Sequence, residues 1–366
     1  MAQVRMIFVG GFLGAGKTTL LAQAARRLTE RGQRVGLLTN DQAGNLVDTG
    51  TLRQEGFEVQ EVCGGCFCCR FADLVAASGK LIEQLRPDVL LGEPVGSCTD
   101  ISATVLQPIK GLYGDWFRLS PFSVLADPAR LREAFSEQAQ ATLSPKVLYV
   151  FRKQLEEADL IVLNKADTLS ADELADLKTL VARHCPDLPV LAISALTGQG
   201  VDAWLDWMLS GRPAGQRIAE VDYDTYADGE AALGWLNATV ELSADAQTDW
   251  RAFTRQLLTG LQAGFLARPA EIAHVKLLLA ADGGSLVANL TSNRDRVLVR
   301  GVMEGDARKA LLLVNARVHT DPDALASTVE ACLQAVLAPP VHGKIAELQY
   351  FSPSRPNPTH RFESTT

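Results

Sequence analysis

Short apolar runs without polar alternation recur through the first two hundred residues. Between them lie stretches whose apolar positions return every three or four residues. Residues 4–9, 34–39, 57–62, 89–91, 122–125, 160–163 and 190–193 read as strands, and 18–29, 72–85, 171–184 and 201–209 as helices. Strands alternating with helices at this spacing predict an α/β domain with a mostly parallel, doubly wound sheet. Runs lacking alternation suit strands buried on both faces. The pattern stops in a Gly/Pro/Arg cluster at 210–215.

Beyond it, strand patterns at 234–242, 275–279, 286–290 and 310–318 and helical ones at 248–265 and 323–337 predict a smaller α+β domain. The expected division is a first domain over 1–212, a linker over 213–232, a second domain over 233–342 and a tail over 343–366. Residues 352–362 hold three prolines and no periodicity, so the tail is expected to be free or ordered only by contact.

A chain of 366 residues, 47% hydrophobic and 21% charged, is globular in composition. Its formal charge of −8 advertises no basic surface, so neither nucleic acid nor an anionic membrane is an expected partner. The apolar stretch near the N-terminus runs straight into Lys17-Thr18-Thr19 and lacks the layout of a signal peptide, and no run is long enough to span a bilayer. Seven cysteines, four of them within seven residues, are not a disulfide framework. They read as thiols kept for chemistry in a reducing cytoplasm.

Gly11-Phe12-Leu13-Gly14-Ala15-Gly16-Lys17-Thr18 has the P-loop spacing, between an apolar strand and a helical pattern. Glycines let backbone N–H groups turn toward phosphate oxygens, and a following helix N-terminus adds a favourable dipole. Gly11, Gly14, Ala15, Gly16, Lys17, Thr18 and Thr19 are therefore the candidate phosphate-binding residues. Lys17 is expected to reach the terminal phosphates and the Thr18 hydroxyl to ligate Mg²⁺. Asn164-Lys165-Ala166-Asp167 follows a strand, where α/β sheets bind ligands. A carboxylate there accepts two hydrogen bonds from guanine that adenine cannot supply, so Asn164, Lys165 and Asp167, with Ser194 and Ala195 after the next strand, predict a GTP site. Glu93 and Gly96 stand where P-loop GTPases keep a carboxylate near Mg²⁺ and a glycine that senses the γ-phosphate. Asp41, after the second strand, is a second carboxylate candidate for the metal or the attacking water. Lys17, Asp41 and Glu93 are the candidate catalytic residues.

Cys63-Gly64-Gly65-Cys66-Phe67-Cys68-Cys69 fits neither a redox pair in a thioredoxin-like unit nor a zinc ribbon, which needs a second cysteine knuckle. Four thiolates on one tight loop cannot readily surround one tetrahedral ion. Two or three ligands are expected from Cys63, Cys66, Cys68 and Cys69, with the rest from elsewhere or from a partner. Cys98, five residues after Glu93, is a candidate.

The P-loop run continuing to Thr19-Leu20-Leu21, then Gly65-Cys66-Phe67-Cys68-Cys69, then Asn164-Lys165-Ala166-Asp167, resembles the CobW-type GTPases, metallochaperones and metalloenzyme activators related to UreG and HypB. The resemblance implies Mg-GTP binding, slow GTP hydrolysis and transition-metal binding at Cys66, Cys68 and Cys69, with delivery of zinc, cobalt or nickel to a client metalloprotein. Two departures mark a divergent branch. Asn40-Asp41-Gln42-Ala43-Gly44 stands where the family has Asn-Glu-Phe-Gly, and Glu93-Pro94-Val95-Gly96 where it has Glu-Thr-Thr-Gly or Glu-Thr-Ser-Gly. The five histidines are scattered, whereas many members carry a histidine-rich stretch. Two other readings stand beside the metallochaperone: a GTPase that assembles or protects a cobalamin or corrinoid enzyme without handling free metal, and a P-loop kinase or ATPase.

Overall fold

A computed structural model describes residues 3–44, 46–136 and 141–365. The chain divides into two compact units. The first holds residues 1–42, 55–226 and 355–366; the second holds 43–54 and 227–354.

The first unit is an α/β layer structure. Its strands are Val4–Gly11 (β1), Val35–Asn40 (β2), Glu58–Val62 (β3), Val89–Glu93 (β4), Phe117–Leu119 (β5), Ser123–Ala126 (β6), Leu160–Leu163 (β7) and Val190–Ala192 (β8). They pair in the order β3-β2-β4-β1-β6-β7-β8, with β5 also on β1, and every described pairing is parallel. The central strands β2, β4, β6 and β7 are buried along their whole length, as runs without polar alternation require. The helices of this unit are Lys17–Glu30 (α1), Phe71–Leu85 (α3), Gln107–Tyr113 (α4), Pro128–Phe135 (α5), Pro145–Glu156 (α6), Ala171–His184 (α7) and Val201–Leu209 (α8). Sequence signals at their starts are used locally: Asp127 caps α5, Ser144 caps α6, and Ser170 with Glu173 forms a capping box on α7.

The second unit carries a six-stranded antiparallel sheet of Gly234–Ala244 (β9), Glu271–Ala281 (β10), Gly284–Leu290 (β11), Val299–Met303 (β12), Lys309–His319 (β13) and Val341–Phe351 (β14), in the order β12-β11-β10-β13-β9-β14. Helices Trp250–Leu266 (α10) and Pro322–Val336 (α11) supply Leu257, Leu261, Phe265, Val329 and Leu333 to a core shared with the sheet. The early helix Val47–Gln54 (α2) belongs to this unit. Asn315 Oδ1 accepts the Val47 N–H at 2.8 Å, Asn237 Nδ2 donates to the Gly44 carbonyl at 3.0 Å, and Lys276 pairs with Asp48.

The expected division of the chain is corrected in three places. The expected linker 213–232 is structured: Asp159 gathers the N–H groups of Gly215 and Gln216, and the boundary falls inside helix Tyr223–Ala231 (α9). The expected tail 343–366 begins as a strand, β14 pairing with β9 from Val341 opposite Ala244 to Phe351 opposite Trp235. It is a mostly exposed edge strand, so its apolar signal is faint. Residues 43–54, expected in the first domain, lie in the second unit because their hydrogen-bond partners do.

Candidate nucleotide and thiol sites

β1 ends at Gly11, the chain turns through 12–16, and α1 begins at Lys17. Gly16 caps that helix with φ 95°, a left-handed conformation that glycine adopts without strain. Lys17 Nζ donates to the carbonyls of Gly11 at 2.9 Å and Phe12 at 3.4 Å, and it stands 3.9 Å from Glu93 Oε1. The Thr18 hydroxyl donates to the same Glu93 oxygen at 3.1 Å. A hydroxyl and a carboxylate this close are hard oxygen donors, which suits Mg²⁺. Thr19 is exposed on α1. Gly96 reaches the same place from the loop after β4: a Cβ there would sit 2.9 Å from Leu13 Cδ2 and 3.0 Å from Lys17 Nζ. A larger residue there would have to displace the ends of the Leu13 and Lys17 side chains. Asp41 lies just beyond β2, with its Oδ1 accepting the Gln42 N–H at 2.6 Å and its own N–H donating to the Val62 carbonyl.

The base-side motif is tied to the P-loop by Asn164. Its Nδ2 donates to the Ala15 carbonyl at 2.7 Å, and its Oδ1 accepts the Ala195 N–H at 2.9 Å. One buried amide therefore sets the distance between the phosphate loop and the loop after β8. Ser194 is buried, and its hydroxyl oxygen accepts the Thr197 N–H at 3.1 Å. Asp167 stands exposed in a short 3₁₀ turn, Ala166–Thr168. Lys165 has φ 60° and extends to Asp127 Oδ2 at 2.6 Å. Sequence reasoning missed Asp127. Burial pushes its carboxyl up, but Lys165 and the N–H groups of Arg130 and Ala129 outweigh burial and hold it below the usual carboxylate range.

The thiol loop follows β3. Cys66 and Cys68 are buried and Cys69 is half-buried, and their three sulfurs all lie within 4.8 Å of one another. Sγ–Sγ distances are 2.8 Å for Cys66–Cys68, 3.3 Å for Cys66–Cys69 and 3.8 Å for Cys68–Cys69. Zinc–sulfur bonds of about 2.3 Å in a tetrahedron place sulfurs about 3.8 Å apart. Binding an ion thus requires Cys66 to move outward by about 1 Å, which is side-chain adjustment. Cys98, on the loop that carries Gly96, approaches Cys68 to 3.7 Å. Cys63 stands outside the group of three, its thiol donating to Glu61 Oε1 at 3.1 Å.

Hydrogen bonds from Cys66, Cys69 and Cys98, then burial, push the Cys68 thiol well above the usual thiol range. The bond with Cys66 is the main cause lifting Cys69 to about 11. Both shifts favour the protonated thiols of Cys68 and Cys69. Gln154 Nε2 donates to the carbonyls of both Gly96 and Cys98 at 2.9 Å, so one side chain of α6 holds the nucleotide-side glycine and the thiol-side cysteine of one loop.

Residues 5–192 match the family model described as CobW/HypB/UreG, nucleotide-binding domain. The chain is 30% identical over 166 residues to the zinc chaperone YeiR of Escherichia coli, covering 44% of this chain and 47% of that one. It is 26% identical over 250 residues to the zinc chaperone CobW of Pseudomonas aeruginosa, covering 58% and 64%. The chain thus spans about half to two thirds of the length of these curated relatives. Among solved structures, zinc-bound YjiA GTPase from E. coli aligns at 13% identity and TM-score 0.35, over 92% of this chain and 99% of that one. No described helix is long and apolar enough to cross a membrane.

Proposed function

Because the chain belongs to the CobW/HypB/UreG family, we propose that it binds Mg-GTP, hydrolyses it to GDP and phosphate, and uses the cycle to carry a transition metal to a client metalloprotein. Zinc is the first cargo to test, with cobalt and nickel next; the relatives named zinc chaperones support that order. The observation that carries the reading is one loop. It holds Gly96 against Lys17 and places Cys98 3.7 Å from Cys68, so a phosphate-sensing element and the thiol cluster share a backbone.

In this reading Lys17 turns from its carbonyl partners to the terminal phosphates and stabilises charge on the transferring phosphoryl group. Thr18 and Glu93 would hold Mg²⁺, which would supply charge to offset that of the phosphates. Asp41 is the second carboxylate, available to the metal or to the attacking water. Asp167 reads guanine, Lys165 and Asn164 set the base loop, and Ala195 offers its backbone. Cys66, Cys68 and Cys69 hold the cargo, with Cys98 joining or leaving as the loop answers the γ-phosphate. The Asn164–Asp167 motif favours GTP and weighs against the kinase or ATPase reading.

The test is zinc, cobalt and nickel affinity by competition in nucleotide-free, GDP and non-hydrolysable GTP states, followed by elemental analysis. One equivalent of metal is expected, bound about 5- to 150-fold tighter with the triphosphate, and lost in Cys66→Ala and Cys68→Ala. Equal displacement of a fluorescent GTP analogue by ATP and GTP refutes the nucleotide assignment. Equal metal affinity in all three states refutes the switch.

A further inference from the structure

The last described residues return to the first unit and lie along the thiol loop. The Asn357 N–H donates to Cys69 Sγ at 3.3 Å. The Thr359 N–H donates to the Cys68 carbonyl at 2.9 Å, and its hydroxyl to the Cys69 carbonyl at 3.2 Å. The His360 ring stands edge-on to Phe71, the first residue of α3, with centroids 5.1 Å apart. Arg361 Nε donates to Asp100 Oδ2 at 2.7 Å, and the Phe362 N–H donates to the Ala103 carbonyl at 3.0 Å.

Three features distinguish this from a chain end resting on a surface. Asp100 is fully buried, so its pairing with Arg361 is a built contact; Tyr223 donates to the same oxygen at 2.8 Å. Asp100 also stands two residues after Cys98, so the ion pair fastens the tail to the loop that brings Cys98 to Cys68. And the backbone donors of 357 and 359 are spent on the two adjacent cysteines themselves. The run Arg355-Pro356-Asn357-Pro358-Thr359 has no strand or helix to hold it, and its prolines keep it extended with less disorder to lose on docking.

We propose that residues 355–362 are a strap over the thiol cluster, fastened by the Arg361–Asp100 ion pair, and that metal enters and leaves when the strap lifts. It rests on the metal-carrier reading for its purpose but not for its geometry. With the strap down, the Cys69 thiol is hydrogen-bonded and half-buried. With it lifted, Cys68 and Cys69 lose a covering peptide while the loop, α3 and the nucleotide elements keep their own bonds.

The test uses full-length protein, a chain ending at Ser354, and the point variants Arg361→Gln and Thr359→Pro. The metal-free proteins react with an aromatic disulfide, and modified cysteines are mapped. Zinc-loaded proteins are then challenged with a chelator. Local opening governs such rates, so the shortened chain should modify Cys69 and release zinc about tenfold faster or more, with GTP affinity unchanged. The point variants should shift both rates the same way by a smaller factor. Cys185 and Cys332 are internal controls: equal acceleration there means the tail stabilises the protein generally, and the strap is rejected. Rates within about twofold of full length in all variants also reject it. If the shortened chain fails to fold, the two point variants decide at a temperature where circular dichroism shows them native. Failure of every protein to bind metal overturns the carrier reading alone, because thiol modification still reports on the strap.

Discussion

Asn40 holds the backbone of Phe67: its Oδ1 accepts the Phe67 N–H at 2.7 Å across 27 residues of sequence. Its Nδ2 donates to the carbonyls of Val62 and Gly65 at 2.9 and 2.8 Å. The last residue of β2 therefore shapes the loop that carries the thiols. Asn40→Ala leaves three partners of a buried amide unsatisfied and should destabilise the first unit by about 2–4 kcal/mol, read as the urea midpoint. Asn40→Asp should not rescue it, because a carboxylate faces two carbonyl oxygens. A midpoint equal to wild type for either variant would show that the clamp is dispensable.

Asp127 and Asp167 should separate two roles at the base side. Asp127→Asn keeps an α5 cap but removes the charge beside Lys165, and should weaken GTP and xanthosine triphosphate alike, by about tenfold. Asp167→Asn should invert preference toward xanthosine triphosphate, because the acceptor pair for guanine is lost. Competition for a fluorescent analogue by the two nucleotides measures both, and the same outcome from both variants would contradict the assignment.

Metal binding should release protons. Cys69 is lifted to about 11 and Cys68 well above the ordinary thiol range. Each ligating thiol must give up its proton, so zinc binding should release about two or three per ion and tighten as pH rises from 6 to 8. Calorimetry in two buffers of different ionisation enthalpy counts them. A count near zero would mean that oxygen or nitrogen ligands, not these thiols, hold the metal.

Glu157 should make stability depend on pH in a known direction. Burial, then the nearby Asp100, pushes its carboxyl well above the usual carboxylate range, although Ser102 N–H and the Thr99 hydroxyl bond to it. A raised acid contributes fully below its unfolded pKa, and that contribution is lost as pH rises through the folded value. Glu157→Gln keeps an acceptor for Ser102 and lacks the titration. Wild type should therefore lose melting temperature relative to the variant between pH 4.5 and pH 8, and parallel curves would reject the account.

Much of the candidate nucleotide site could be read as short motifs because its parts are local. The P-loop, Glu93 with Gly96, and Asn164–Asp167 are short spacings attached to strand ends, and apolar runs located those strands. Asp127 was not legible: it precedes Pro128 as an ordinary helix cap would, and its tie to Lys165 spans 38 positions of the chain. That Cys63 turns toward Glu61, apart from Cys66, Cys68 and Cys69, could not be read from spacing. Cys98 was legible as a candidate since it shares a loop with Glu93. The strap and the placement of α2 depend on partners hundreds of residues away, and neither segment carries a strong apolar pattern.

The assignment of residues 43–54 to the second unit bears on how the protein is made. The chain passes between the units four times, after residues 42, 54, 226 and 354, so no single cut yields two whole domains. Val47 finds its acceptor, Asn315, only 268 residues later; at a synthesis rate of about 5–20 residues per second, that delay is roughly 13–54 s. On a ribosome, the parallel sheet can close long before α2 has its partners on β10 and β13. The second unit therefore completes its sheet only after β13 and β14 are made, long after the strands of the parallel sheet.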